Sequence, residues 1–108
     1  PPMRGDLVRE VQHRFRGHGL EQDGVYGCRT AARVADWQWR VGARNHAGAI
    51  VPDELLVLLG YRKRPSEWIS RARERAGRRN PRAVTCAPPP PTLEIIPRSR
   101  WCDFLPRG

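Results

Sequence analysis

Lysine is almost missing from this chain: of the twenty basic residues among 108, only Lys63 is not an arginine. Such a bias serves bidentate contacts to anions or reflects GC-rich coding, and the second reading carries more weight here. Cysteine is scarce too. Cys28, Cys86 and Cys102 are an odd number at long spacings, with no C-x-x-C and no zinc-ribbon pattern. Cys86–Cys102 is the one disulfide considered, and the want of a disulfide-dense scaffold weighs against it, leaving the redox state open. No apolar run approaches the roughly 20 residues of a membrane span. No charged, then apolar, then small pattern marks a signal peptide at the N-terminus. Hydrophobic residues make up 39% and the mean hydropathy is −0.67, so part of the chain is expected to stay outside any core. One small domain with extras is what this length holds.

What charge there is lies unevenly. Residues 1–60 carry eight arginines against seven carboxylates, a net of +1, whereas residues 61–108 carry the remaining +8. The half with the better core pattern is therefore nearly neutral, and the positive field belongs to the other half.

Periodicity predicts an all-α domain. Asp6 is expected to cap a helix running through Val8, Val11 and Phe15, ended by Gly17 and Gly19. A second helix is expected from about Cys28 to Val41, with Ala31, Val34, Trp37 and Val41 on one stripe and Gly42 as its stop. Ala43–Val51 reads as a loop. A short third helix opens at Pro52, places Asp53 and Glu54 at its positive end, buries Leu55, Leu56, Leu58 and Leu59, and closes at Gly60. Positions 24–35 and 48–59 echo each other at an offset of 24, Gly24-Val25-Tyr26 against Gly48-Ala49-Ile50, which hints at two packed loop–helix units.

Ser66 is expected to cap a fourth helix with a narrow stripe of Trp68, Ile69, Ala72 and Ala76 and otherwise arginine-rich faces. The expected organisation is thus a three-helix domain over 1–60, a basic helix over 61–79, a linker over 80–92 and a further segment over 93–108. Pro88–Pro91 should be extended polyproline II. Leu93, Ile95 and Ile96 start a strand with nothing after it to pair with, so the chain is expected to be truncated.

The spacing Val8, Val11, Gln12, Leu20, Asp23-Gly24-x-Tyr26-Gly27-x-x-Thr30, Val34, Trp37-Gln38, then Gly48 and Leu55–Leu59 resembles the peptidoglycan-binding domain 1 family over about residues 6–60. Its pattern is a Leu-Gln helix, an Asp-Gly-x-Phe/Tyr-Gly-Pro-x-Thr turn, a Phe-Gln helix end and a second glycine turn. Cys28 stands where proline is usual, Trp37 where phenylalanine is, and Ala47 where a second aspartate is common. The resemblance implies a small three-helix bundle that binds peptidoglycan and tethers a hydrolase to the cell wall. "IIPRSRW", Ile95–Trp101, resembles the opening strand of the type-2 amidase and peptidoglycan-recognition domain, with Cys102 in place of the usual glycine. Together they imply a zinc N-acetylmuramoyl-L-alanine amidase as the parent, such as a phage endolysin held in the host cytoplasm until holin release. The implied place of action is the bacterial wall, the periplasm or the exterior.

This chain itself is expected to be a non-catalytic monomer with no cofactor, zinc belonging only to a missing amidase domain. His13 and His18 lie about 140° apart around a helix and cannot chelate from one face, and His46 is isolated in a loop. No serine or cysteine has a motif-placed histidine. For a glycan ligand, an aromatic face ringed by polar groups is needed. Trp37 is read as core, and Trp39, about 200° away, as exposed. Gln38, Trp39, Arg40 and Arg44 are candidates for glycan hydroxyls or peptide carboxylates, against a solvated helix face. Asp23 and Tyr26 join them through the groove that Asp23, Gly24 and Gly27 shape, although a purely structural turn is the plainer reading. The basic run Tyr61–Arg79 either attracts anionic wall polymers or docks Trp68 and Ile69 on the domain. The alternative is a small arginine-rich nucleic-acid-binding protein, which the nearly balanced first three helices oppose.

Overall fold

The computed structural model describes residues 4–87; the Pro88–Pro91 run, the expected strand at residues 93–96 and the Ile95–Trp101 segment lie outside them. Among the described residues the protein is all-α, with one isolated bridge pair, Arg4 with Val25, and no longer β-pairing. The first helix, α1, spans Asp6–Arg14 and is followed by a 3-10 turn at Arg16–His18. Asp6 is not its cap: Gly5 precedes the helix at φ 124° and Asp6 is the first helical residue. The Gly5 N–H donates to the Gly24 carbonyl at 3.0 Å, so contact with a distant turn, not a side-chain cap, sets where α1 begins.

The second helix, α2, spans Cys28–Val41 and the third, α3, Pro52–Leu58, both where the periodicity places them. Val11, Phe15 and Val34 form the buried core, with Leu20, Tyr26, Trp37, Ile50, Leu55 and Leu58 packed against it. Leu56, expected inside, is exposed because it falls on the outer face of this seven-residue helix. Pro52 suits the first helical position, which needs no N–H donor. Glu54 reaches back to the Val51 N–H at 3.1 Å.

The fourth helix, α4, spans Ser66–Arg75 and follows Pro65, so Ser66 is its first residue and makes no cap. It packs on α2 through the buried Trp68. Gly42 permits the approach. It ends α2 at φ 86°, and a Cβ there would stand 1.8 Å from the Trp68 carbonyl oxygen. The arginines of the basic segment then meet carbonyls that α2 leaves at its negative end. Arg71 donates to Gly42 O at 2.7 Å, Arg75 to Gln38 O and Trp39 O at 3.3 and 3.2 Å, and Arg64 to Val41 O at 3.4 Å. Arg64, Arg71 and Arg75 of the basic run therefore serve packing of α4 onto α2.

After α4 the chain returns along α2 toward its start. Arg78 O accepts from Trp39 Nε1 at 3.0 Å, and Asn80 Nδ2 donates to Ala35 O and His46 O at 3.2 and 3.0 Å. A Cys28–Cys86 disulfide, with a sequence separation of 58, fastens the far end. This replaces the Cys86–Cys102 pairing considered above. The described part of the expected linker, residues 80–87, is a strap bound to α2. Closing a loop of that length removes about 4 kcal/mol of chain entropy from the unfolded state in the loop-entropy picture. For a core of so few apolar side chains, that is a large share of the usual margin.

Candidate functional site

Two buried glutamines organise the turns. Gln12, 1% exposed, points from α1 into the loop before α2. Its Oε1 accepts the Gly24 N–H at 2.9 Å, and its Nε2 faces Asp23 Oδ1, Val25 O and Thr30 Oγ1 at 2.9, 3.0 and 3.0 Å. Gln38, wholly buried, repeats this from α2. Its Oε1 accepts the Gly48 N–H at 2.9 Å, and its Nε2 donates to Ala49 O and Glu54 Oε1, both at 2.8 Å. In both cases the glutamine binds a glycine N–H, the carbonyl of the next residue, and the side chain at the third position of the following helix. The offset-24 echo in the sequence is the trace of this doubled clasp.

Glycine is required at the centre of each clasp. Gly24 lies at φ 74° and Gly48 at φ 98°. A Cβ on Gly48 would stand 2.5 Å from the Ala31 carbonyl oxygen, whereas one on Gly24 would meet the movable Arg9 side chain at 2.9 Å. Tyr26 joins the two clasps, its hydroxyl donating to the Gly48 carbonyl. Burial, and after it the charge of Glu54, pushes the Tyr26 phenol well above its ordinary range. Asp23 also accepts the Val25 N–H at 3.0 Å. That bond, then the one from Gln12, holds its carboxyl below the ordinary 3.8.

The expected ligand residues do not share one surface. Asp23 and Tyr26 sit at the first clasp. Trp39 and Arg40 lie near the other end of α2, eleven residues beyond Cys28 and so about 16 Å along the helix axis. Gln38, the expected partner for glycan hydroxyls, is sealed inside with its amide committed to Gly48, Ala49 and Glu54. Trp39, expected exposed, is partly covered: the Arg75 guanidinium lies 4.5 Å from its ring centroid and the His46 ring meets it edge-on at 5.1 Å. His46 is likewise not isolated, for its Nδ1 lies 3.0 Å from Asn80 Oδ1. Arg40 pairs with Asp36 at 3.0 Å on the surface, and Arg44 is exposed.

Trp39 and Arg40 share a hollow of about 210 Å³ with Ala72, Arg75 and Arg78, and further open space lies beside α1 and around the disulfide. A groove of about 460 Å³ runs between α2 and the strap, with Leu20, Arg29, Arg33, Asn80, Val84 and Cys86 among its walls. A second, of about 370 Å³, lies on the other side of Cys86 and includes Asp23, Gly27 and Thr30. The sequence reading missed Arg29, Arg33 and Asn80. The first two had a signal, their i, i+4 spacing on α2; Asn80 had none, since only the strap gives it a place. No group of three or more His, Cys, Asp or Glu among the described residues is arranged to hold a metal ion, and no helix there is long and apolar enough to cross a membrane.

Comparison of the chain with models of protein families, with curated proteins and with solved structures gives no match.

Proposed function

We propose that this chain is a non-catalytic module that binds bacterial peptidoglycan and serves a peptidoglycan hydrolase, an N-acetylmuramoyl-L-alanine amidase of the endolysin kind. In this reading α1, α2 and α3 form the three-helix bundle of the peptidoglycan-binding type. The observation that carries the proposal is the doubled clasp. The residues that resemble the family pattern, Gln12, Asp23-Gly24 and Thr30 in one half and Gln38 and Gly48 in the other, hold one another directly by hydrogen bonds. A spacing match with no such internal logic would be weaker support. The ligand surface then belongs to the grooves beside the disulfide, one of which Asp23 and Thr30 of the first clasp border, and not to the buried Gln38.

Sedimentation with purified sacculi at physiological salt tests the proposal, run beside a DNA mobility-shift assay and a turbidity assay on wall suspensions. Co-sedimentation with sacculi, no DNA shift and no loss of turbidity is the expected outcome. Retention by DNA alone would replace wall binding with the nucleic-acid reading. Clearing of the suspension by this chain would make it an enzyme.

A further inference from the structure

The groove between α2 and the strap contains two arginines one helical turn apart. Arg29 and Arg33 project from the same side of α2, a spacing at which like charges repel. Among the described residues neither forms an ion pair or a side-chain hydrogen bond, whereas Arg14, Arg40, Arg62, Arg71 and Arg75 each have a carbonyl or carboxylate partner. The carboxylate bordering the same groove, Asp36, is engaged by Arg40 at 3.0 Å. Asn80, on the strap side, spends its amide on Ala35 O and His46 O, so it fixes the wall and leaves the ligand to the arginines. His18 and Gly19 border the groove as well, and the rest of its surface is apolar: Leu20, Ala32, Ala83 and Val84.

Two guanidiniums beside aliphatic side chains suit a carboxylate carried on a short aliphatic residue. A wall phosphate polymer, with charge at every repeat, would call for a longer row of cations. Alanine-rich stem peptides of peptidoglycan present such carboxylates. We infer that Arg29 and Arg33, in the groove closed by the Cys28–Cys86 strap, bind the free carboxylate of a stem peptide. This rests on the peptidoglycan reading and gives it a ligand: the peptide, not the glycan.

The test is calorimetric titration of the full chain with a soluble muropeptide bearing an alanine-terminated stem, and with the same muropeptide after amidation of its carboxylates. The R29Q/R33Q double variant is expected to lose at least tenfold in affinity with an unchanged far-UV spectrum, because each lost contact is charge-assisted. Amidation should cost a similar factor. Val84→Glu places a carboxylate on the strap side, where it competes for the same arginines, and should also weaken binding tenfold or more. Unchanged affinity in the double variant, equal binding of the amidated probe, or competition by glycerol phosphate in place of the peptide would overturn the site. Sacculus sedimentation separates the two levels. If wild type and double variant sediment equally, the groove is wrong and wall binding stands; if wild type binds neither sacculi nor muropeptide, both fall.

Discussion

The two glutamine clasps use the same three contacts, yet they face different surroundings. The first closes on Thr30, a neutral hydroxyl, and keeps Asp23 at the edge of open space. The second closes on Glu54, 2% exposed, whose carboxylate also receives the Val51 N–H. The loop is also tighter: glutamine and glycine are 12 positions apart in the first clasp and 10 in the second. One geometric device is thus used twice, once beside the grooves and once sealed in the body. The buried carboxylate makes the second less forgiving, since taking a donor from a charged acceptor costs more than taking one from a neutral group.

Replacing the glutamines is the strongest way to break the comparison. Gln38→Leu strands the Gly48 N–H and takes a donor from the buried Glu54, and should lower unfolding free energy by about 3–5 kcal/mol. Gln12→Leu leaves only neutral groups short of a partner, besides an Asp23 that water reaches, and should cost about 2–3 kcal/mol. Urea denaturation measures both, and equal losses would end the distinction. Next come the glycines. Gly48→Ala must push Ala31 backbone aside at a positive φ and should cost about 3 kcal/mol, while Gly24→Ala, meeting a side chain that can swing away, should cost about 1–2 kcal/mol.

Tyr26→Phe removes the hydrogen bond between the clasps but keeps the ring in the core, for a loss of about 1 kcal/mol. A double-mutant cycle with Gln38→Leu should then give non-additive losses, because both variants act on the Gly48 turn. The smallest effect belongs to pH. The Asp23 carboxyl titrates below its ordinary 3.8 in the folded chain, so its contribution is fully present above that value and disappears as pH falls through the depressed one. Asp23→Asn should flatten this part of the melting-temperature profile at the acid end, and a profile identical to wild type would remove the carboxylate from the first clasp.

Much of the helical frame was legible. The run from Cys28 to Val41 and the proline-led start of α3 follow from apolar spacing and local backbone chemistry, which act within a few residues. Val11, Phe15 and Val34 fell on predicted stripes and form the core. Gln12 and Gln38 were harder to place, because a polar side chain becomes interior only when a distant turn supplies partners for every polar atom. Among the described residues no buried side-chain nitrogen or oxygen lacks one. The cysteine pairing misled for a related reason. Cys102 is nearer to Cys86 in sequence, but the reversal after α4 carries Cys86 back to the beginning of α2. Trp39 was turned away from the core as its angle required, and the end of α4 and the reversal after it then covered it with Arg75 and Arg78.

The Cys28–Cys86 crosslink also decides where mechanical load would enter. A pull applied to the chain beyond Ala87 reaches the sulfur bridge before it reaches α4, and passes into the first turn of α2. With the bridge intact, α4 and its arginine contacts are shielded from peeling off one at a time, and the body must yield as a unit. A module that holds one molecule to another under drag gains from that route, and reduction would reroute the force through the strap and α4.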